Sequence, residues 1–118
     1  MAKTSSAPDM AAFVQTLIGQ TIETPTGRPN RILVADRDQV LVGTEKSPEG
    51  RWVPVGWLQD AADRLWSAGE LEISVASLGH RRTAFVAAVL QLLPGTIPSR
   101  PPRWIRLAEG ATRSSDHD

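Results

Sequence analysis

The sequence predicts a small α+β domain, and three observations carry that reading. Apolar residues recur at helical spacing in residues 10–19, 55–68 and 83–93. Two β-rich segments, 31–35 and 39–44, flank Asp36-Arg37-Asp38, a pattern that predicts a hairpin. Leu71, Ile73 and Val75 alternate with Glu70, Glu72 and Ser74, the period of a strand with one buried face. The resulting order is helix–β-hairpin–helix–strand–helix, closing with a C-terminal edge strand. The expected domain covers residues 8–108, with residues 1–7 and 109–118 as flexible tails.

Each element has a local justification. Pro8-Asp9 opens the first helix, where Met10, Phe13, Val14, Leu17 and Ile18 share a face and Gly19 closes it. Residues 21–24 are extended in character. Residues 24–30, Thr-Pro-Thr-Gly-Arg-Pro-Asn, combine prolines, glycine and asparagine and so predict a turn. Ser47-Pro48-Glu49-Gly50 predicts another turn. Trp52 begins a short extended piece that leads into the second helix, whose face is Leu58, Ala61, Ala62, Leu65 and Trp66 and whose terminator is Gly69. The third helix carries Phe85, Val86, Val89, Leu90, Leu92 and Leu93, with Thr83 as N-cap and Pro94-Gly95 as terminator. Residues 97–103 are too rich in proline for a helix or a central strand and are expected to run extended. Trp104, Ile105 and Leu107 would pin the chain back as a short strand.

Composition narrows the function classes. A chain of 118 residues is long enough for one core, and with no cysteine it has neither disulfides nor thiolate metal sites. It has no bilayer-length apolar run and no signal-peptide pattern, which predicts a cytoplasmic protein that does not enter the membrane. The 13 Lys and Arg balance the 13 Asp and Glu, but unevenly along the chain. Arg81, Arg82, Arg100, Arg103 and Arg106 occupy residues 73–108 without an acid. Asp36, Asp38, Glu45, Glu49, Asp60, Asp63, Glu70 and Glu72 dominate residues 36–72. A local basic patch on a neutral molecule follows.

No catalytic constellation is visible. There is no phosphate-cradling P-loop, no serine elbow and no zinc-binding histidine pair. Asp36 and Asp38 lack the other ligands of a calcium loop, and His117 between Asp116 and Asp118 does not make a metal site. The expectation is a non-enzyme without metal or cofactor. Three basic, polar stretches instead suggest phosphate contacts: the turn bearing Arg28, Asn30 and Arg31, the turn bearing His80, Arg81 and Arg82 before the third helix, and the Pro/Arg-rich run with Arg103. A guanidinium can hold two phosphate oxygens at once, a helix start adds free amides, and Asn30 can read a base edge. The expected DNA-binding residues are Arg28, Asn30, Arg31, Arg81, Arg82 and Arg103. The alternative is a protein-interaction or dimerisation module anchored by Trp57 and Trp104.

Residues 20–95 also resemble a known module. The features are Thr26-Gly27-Arg28-Pro29-Asn30, the hairpin, the GELEISV strand and the Gly-His-Arg-Arg-Thr-Ala-Phe turn ending in Leu-Pro-Gly. They look like an N-terminal accessory domain of bacterial, actinobacterial-type HNH endonucleases of the modification-dependent restriction kind. The resemblance implies a non-catalytic part that helps a restriction or phage-defence enzyme recognise DNA or assemble. The HNH residues themselves have no counterpart here. A winged-helix-like arrangement, with residues 81–93 as the helix presented to DNA, is the specific architecture this suggests.

Overall fold

The computed structural model describes residues 7–24, 27–79, 82–99 and 104–108. Arg81, Arg103 and most of both expected tails lie outside these residues. The fold is α+β, with two antiparallel sheets and four helices among the described residues.

The larger sheet is a meander of β1 (Thr21–Glu23), β2 (Pro29–Ala35), β3 (Gln39–Thr44) and β4 (Arg51–Pro54), in that spatial order. Its register sorts the side chains by face, because paired residues share a side. Ile22, Asn30 and Thr44 form one row; Ala35, Val40 and Val53 form another. Together with Ile32 and Val42 these rows face the core. Thr21, Arg31 and Gly43 make a row on the opposite face, as do Val34, Leu41 and Trp52. A bulge between Ile32 and Val34 inserts Leu33 and keeps both sets on their proper sides. The β2–β3 turn is closed by the Asp36 carboxylate, which accepts from the amides of Asp38 (2.8 Å) and Gln39 (2.9 Å).

Helix α1 (Met10–Gln15) starts at Asp9, whose carboxylate accepts from the amides of Ala11 (3.0 Å) and Ala12 (3.3 Å). It is shorter than the apolar periodicity predicts. The Gly19 amide donates to the Ile32 carbonyl at 2.7 Å, so the chain has already left the helix to join β2. Helix α2 (Val55–Ala68) follows its prediction, burying Val55, Leu58, Ala61, Ala62 and Leu65 and ending at Gly69 with φ of 84°. Gln59 ties the two together: its Oε1 accepts from the Met10 amide at 2.8 Å and its Nε2 donates to the Pro8 carbonyl at 3.0 Å.

The smaller sheet holds β5 (Glu70–Glu72), β6 (Thr96–Ser99) and β7 (Trp104–Leu107) in the order β5-β7-β6. The expected C-terminal edge strand is therefore the central strand. Proline-bearing β6 takes the edge instead, where a missing donor is tolerated. Strand β5 stops before Ser74, because the Ser74 hydroxyl accepts from the Ser77 amide at 3.0 Å and caps α3 (Val75–Leu78). Arg64 clamps that turn to α2 through the Ser77 carbonyl (2.8 Å) and hydroxyl (3.1 Å).

Helix α4 (Thr83–Leu90) is the most fully buried of the helices. Phe85, Val86, Ala87, Ala88, Val89 and Leu90 are all buried, so beyond Ala84 the helix has no wet face. It packs on α2 and reaches β1. Its N-cap residue is Arg82, not Thr83, and no side chain caps it. The winged-helix-like presentation of residues 81–93 is not confirmed: residues 85–90 are buried and offer no face to a DNA groove.

Candidate functional site

The first turn of α4 and one end of the larger sheet enclose a cleft of about 610 Å³. Asn30 and Thr44 of the inner-face row line it from the sheet, and Ala84 and Phe85 line it from α4. Each polar group around it has a local reason to be there. After β1, the Thr24 amide donates to the Arg28 carbonyl (2.9 Å), and the Arg28 amide donates to Thr24 Oγ1 (3.1 Å). Gly27, at φ of 88°, lets the chain reverse between them. This lock fixes Arg28 on the rim. After β3, the Ser47 amide donates to the carbonyl (3.2 Å) and Oγ1 (3.1 Å) of Thr44, which holds Glu45 and Lys46 at a turn tip on the same rim. Arg82 enters from the start of α4.

Asn30 is the unusual member. Its backbone lies in the ladder between Ile22 and Thr44, and the residue is only 7% exposed. Among the described residues nothing is hydrogen-bonded to its carboxamide, although the side chain lines the cleft. A buried amide normally finds a partner, because leaving it bare costs about 1–3 kcal/mol. The amides of Thr83, Ala84 and Phe85, the first three of α4, also lack a hydrogen-bond acceptor among the described residues.

The electrostatics favour an anion, with one exception. Arg28, Lys46 and Arg82 supply positive charge, and the helix start adds its dipole. Among the described residues the ion pair found is Arg64–Asp60 at 3.6 Å, remote in sequence from this rim, so no carboxylate of the acidic middle segment is ion-paired with Arg28 or Lys46 there. Glu45 supplies one carboxylate within the cleft.

Of the residues expected to bind DNA, the structure brings Arg28, Asn30 and Arg82 together. Arg31 is separated from them. It sits on the outer face of the sheet in a groove of about 230 Å³ with Thr21, Leu33, Gly43 and Pro48, because neighbouring strand residues point to opposite sides. Thr44, Glu45, Lys46 and Phe85 were not legible as site residues. They join the cleft through strand register and through α4 packing, and neither is written in local sequence. Of the tryptophans, Trp57 is 37% exposed on α2 and Trp104 is half-buried in the middle of the smaller sheet; Trp52, at 49%, is the more open.

Among the described residues no cluster of His, Asp and Glu is arranged to hold a metal ion, and no helix is long and apolar enough to cross a membrane. No protein-family model, curated protein or solved structure matches the chain.

Proposed function

We propose that this chain is a non-catalytic DNA-recognition module that works in the cytoplasm as an accessory to a restriction or phage-defence enzyme, the role implied by the module it resembles. One observation carries the DNA part of this reading: Arg28, Lys46 and Arg82, from three separate segments, meet at one cleft beside an uncapped helix start. Cations from distant segments on one rim can neutralise neighbouring phosphates, and amides at a helix start suit phosphate oxygens. The balanced net charge keeps the attraction local to this rim. Binding of this kind is moderate and salt-dependent.

Fluorescence anisotropy with a labelled duplex at low and moderate salt tests the proposal. Arg28→Ala combined with Lys46→Ala is expected to weaken binding and flatten its salt dependence. Arg31→Ala, on the other face of the sheet, is expected to leave both unchanged. Equal loss from both changes would contradict the cleft as the contact.

The protein-interaction reading has one observation in its favour, the apolar row Val34, Leu41 and Trp52 across the outer face of the larger sheet, where Val34 is 44% and Trp52 49% exposed. It favours Trp52 over Trp57 and Trp104 as an anchor. Sedimentation of Trp52→Ala against the unaltered chain separates this reading: loss of an assembly with unchanged DNA binding would support it.

A further inference from the structure

The depth of Asn30 constrains what it can touch. The residue is 93% buried in the lining of the cleft, below a rim of cations. A base stacked within a duplex cannot reach it; a nucleotide that enters the cleft by itself can. From this we propose that the cleft is a binding site for a single unstacked nucleotide, with its phosphate at the start of α4 and the edge of its base on the Asn30 carboxamide. The inference deepens the DNA-recognition reading but is separable from it.

Three features fit this ligand. The volume of about 610 Å³ lies within the range of roughly 300–1,000 Å³ typical of small-molecule pockets. The three leading amides of α4, Arg82 and the rim cations Arg28 and Lys46 form a phosphate seat. Asn30 presents both a donor and an acceptor, the pairing a heterocycle edge uses, and no group among the described residues occupies either. Pro29 and Phe85 add apolar wall for a flat ring. Glu45 then has a use that a bare phosphate site would not give it. A carboxylate repels phosphate but accepts from a sugar hydroxyl or an exocyclic amine, so the lining favours a nucleotide over inorganic phosphate.

The nucleotide can be free or can belong to an unpaired position of a strand, and the test separates these sources. Calorimetry with the four nucleoside 5′-monophosphates and with inorganic phosphate is run on the unaltered chain, Asn30→Leu and Glu45→Gln, with thermal melts to verify the fold of each. Anisotropy compares a blunt duplex with one carrying a single unpaired nucleotide at its end. The inference expects at least one monophosphate, or the overhanging duplex over the blunt one, to bind about tenfold more tightly than inorganic phosphate or the blunt duplex respectively. It also expects a loss of about tenfold in Asn30→Leu with the fold retained. Preference for the overhang assigns a strand; monophosphate binding without that preference assigns a free nucleotide. Inorganic phosphate binding as tightly as every monophosphate together with no preference for the overhang, or Asn30→Leu binding unchanged, overturns the proposal. Should Asn30→Leu fail to fold, Glu45→Gln decides: a nucleotide that loses affinity relative to inorganic phosphate supports the site, and an equal change in both, or none, overturns it. Duplex binding without any nucleotide preference leaves the DNA reading standing alone; monophosphate binding without duplex binding leaves this inference standing alone.

Discussion

Replacing Asn30 by leucine should make the protein more stable while making it worse at binding. The carboxamide is 93% buried without a protein partner among the described residues, so the folded state bears a desolvation penalty of about 1–3 kcal/mol. The carboxamide borders an open cleft that solvent can enter, which places the penalty near the lower end, about 1 kcal/mol. Leucine removes the bare polar group, and the cleft of about 610 Å³ gives the larger side chain room to settle without displacing Ile22 or Thr44. Strand preference adds up to about 1 kcal/mol in the same direction, since asparagine is a poor strand residue. A net gain of about 1–2 kcal/mol corresponds to a rise in melting temperature of roughly 4–8 °C in a domain of this size. Thermal melts by circular dichroism, with urea titration as a check, measure it. A fall in stability of more than about 1 kcal/mol would refute the reasoning, because it would mean that the carboxamide is satisfied in the folded state and is not held ready for a ligand.

The other expectations concern the frame around the cleft. Ala88→Arg should unfold the protein or cost several kcal/mol, because Ala88 is 2% exposed within α4; denaturant titration showing less than about 1 kcal/mol would return α4 to the surface. Gly50→Ala should destabilise by roughly 2–3 kcal/mol by the same assay, since φ is +97° and a Cβ would stand 2.7 Å from Leu41 Cγ and 2.8 Å from its Cδ1. Arg64→Ala should lose about 1 kcal/mol, discounted because the side chain is 41% exposed, and should speed amide exchange at Leu78 and Gly79 selectively. Hydrogen bonds from the Gln39 and Asp38 amides hold the Asp36 carboxyl below its usual range. A group whose folded value lies below its unfolded one stabilises above the unfolded value and loses that contribution as pH falls through the folded value, so Asp36→Asn should flatten the acid limb of a pH–stability curve and leave its neutral limb in shape.

The parts of the fold legible in sequence are those with a local cause. The hairpin around Asp36, helix α2 with its Gly69 terminator, and the proline-bearing stretch that cannot be central were all readable, because turn chemistry and periodicity act over a few residues. The misread ends have tertiary causes. Residues 16–19 keep an apolar period but are drawn off by pairing of Gly19 with Ile32. The 71–75 strand is cut short by a serine cap that Arg64 supports from 13 residues away. In α4 an apolar face is visible in sequence, but the burial of every residue from Phe85 to Leu90 follows from tertiary packing, including contacts with α2 and β1. In the cleft, Arg28, Asn30 and Arg82 stood out by residue type and turn context. Their convergence, the exclusion of Arg31 by one step of strand alternation, and the arrival of Glu45 and Lys46 depend on register, which local sequence does not fix.

The most direct measurement is a titration of the ¹⁵N-labelled chain with duplex DNA and, separately, with a nucleoside 5′-monophosphate, followed by amide chemical shifts. Perturbations concentrated at Arg28, Asn30, Thr44, Lys46, Ala84 and Phe85, with Thr21, Arg31 and Trp52 unmoved, are the result this account predicts. Perturbations centred on the outer-face row of Arg31 or of Trp52, with the cleft unmoved, would contradict it.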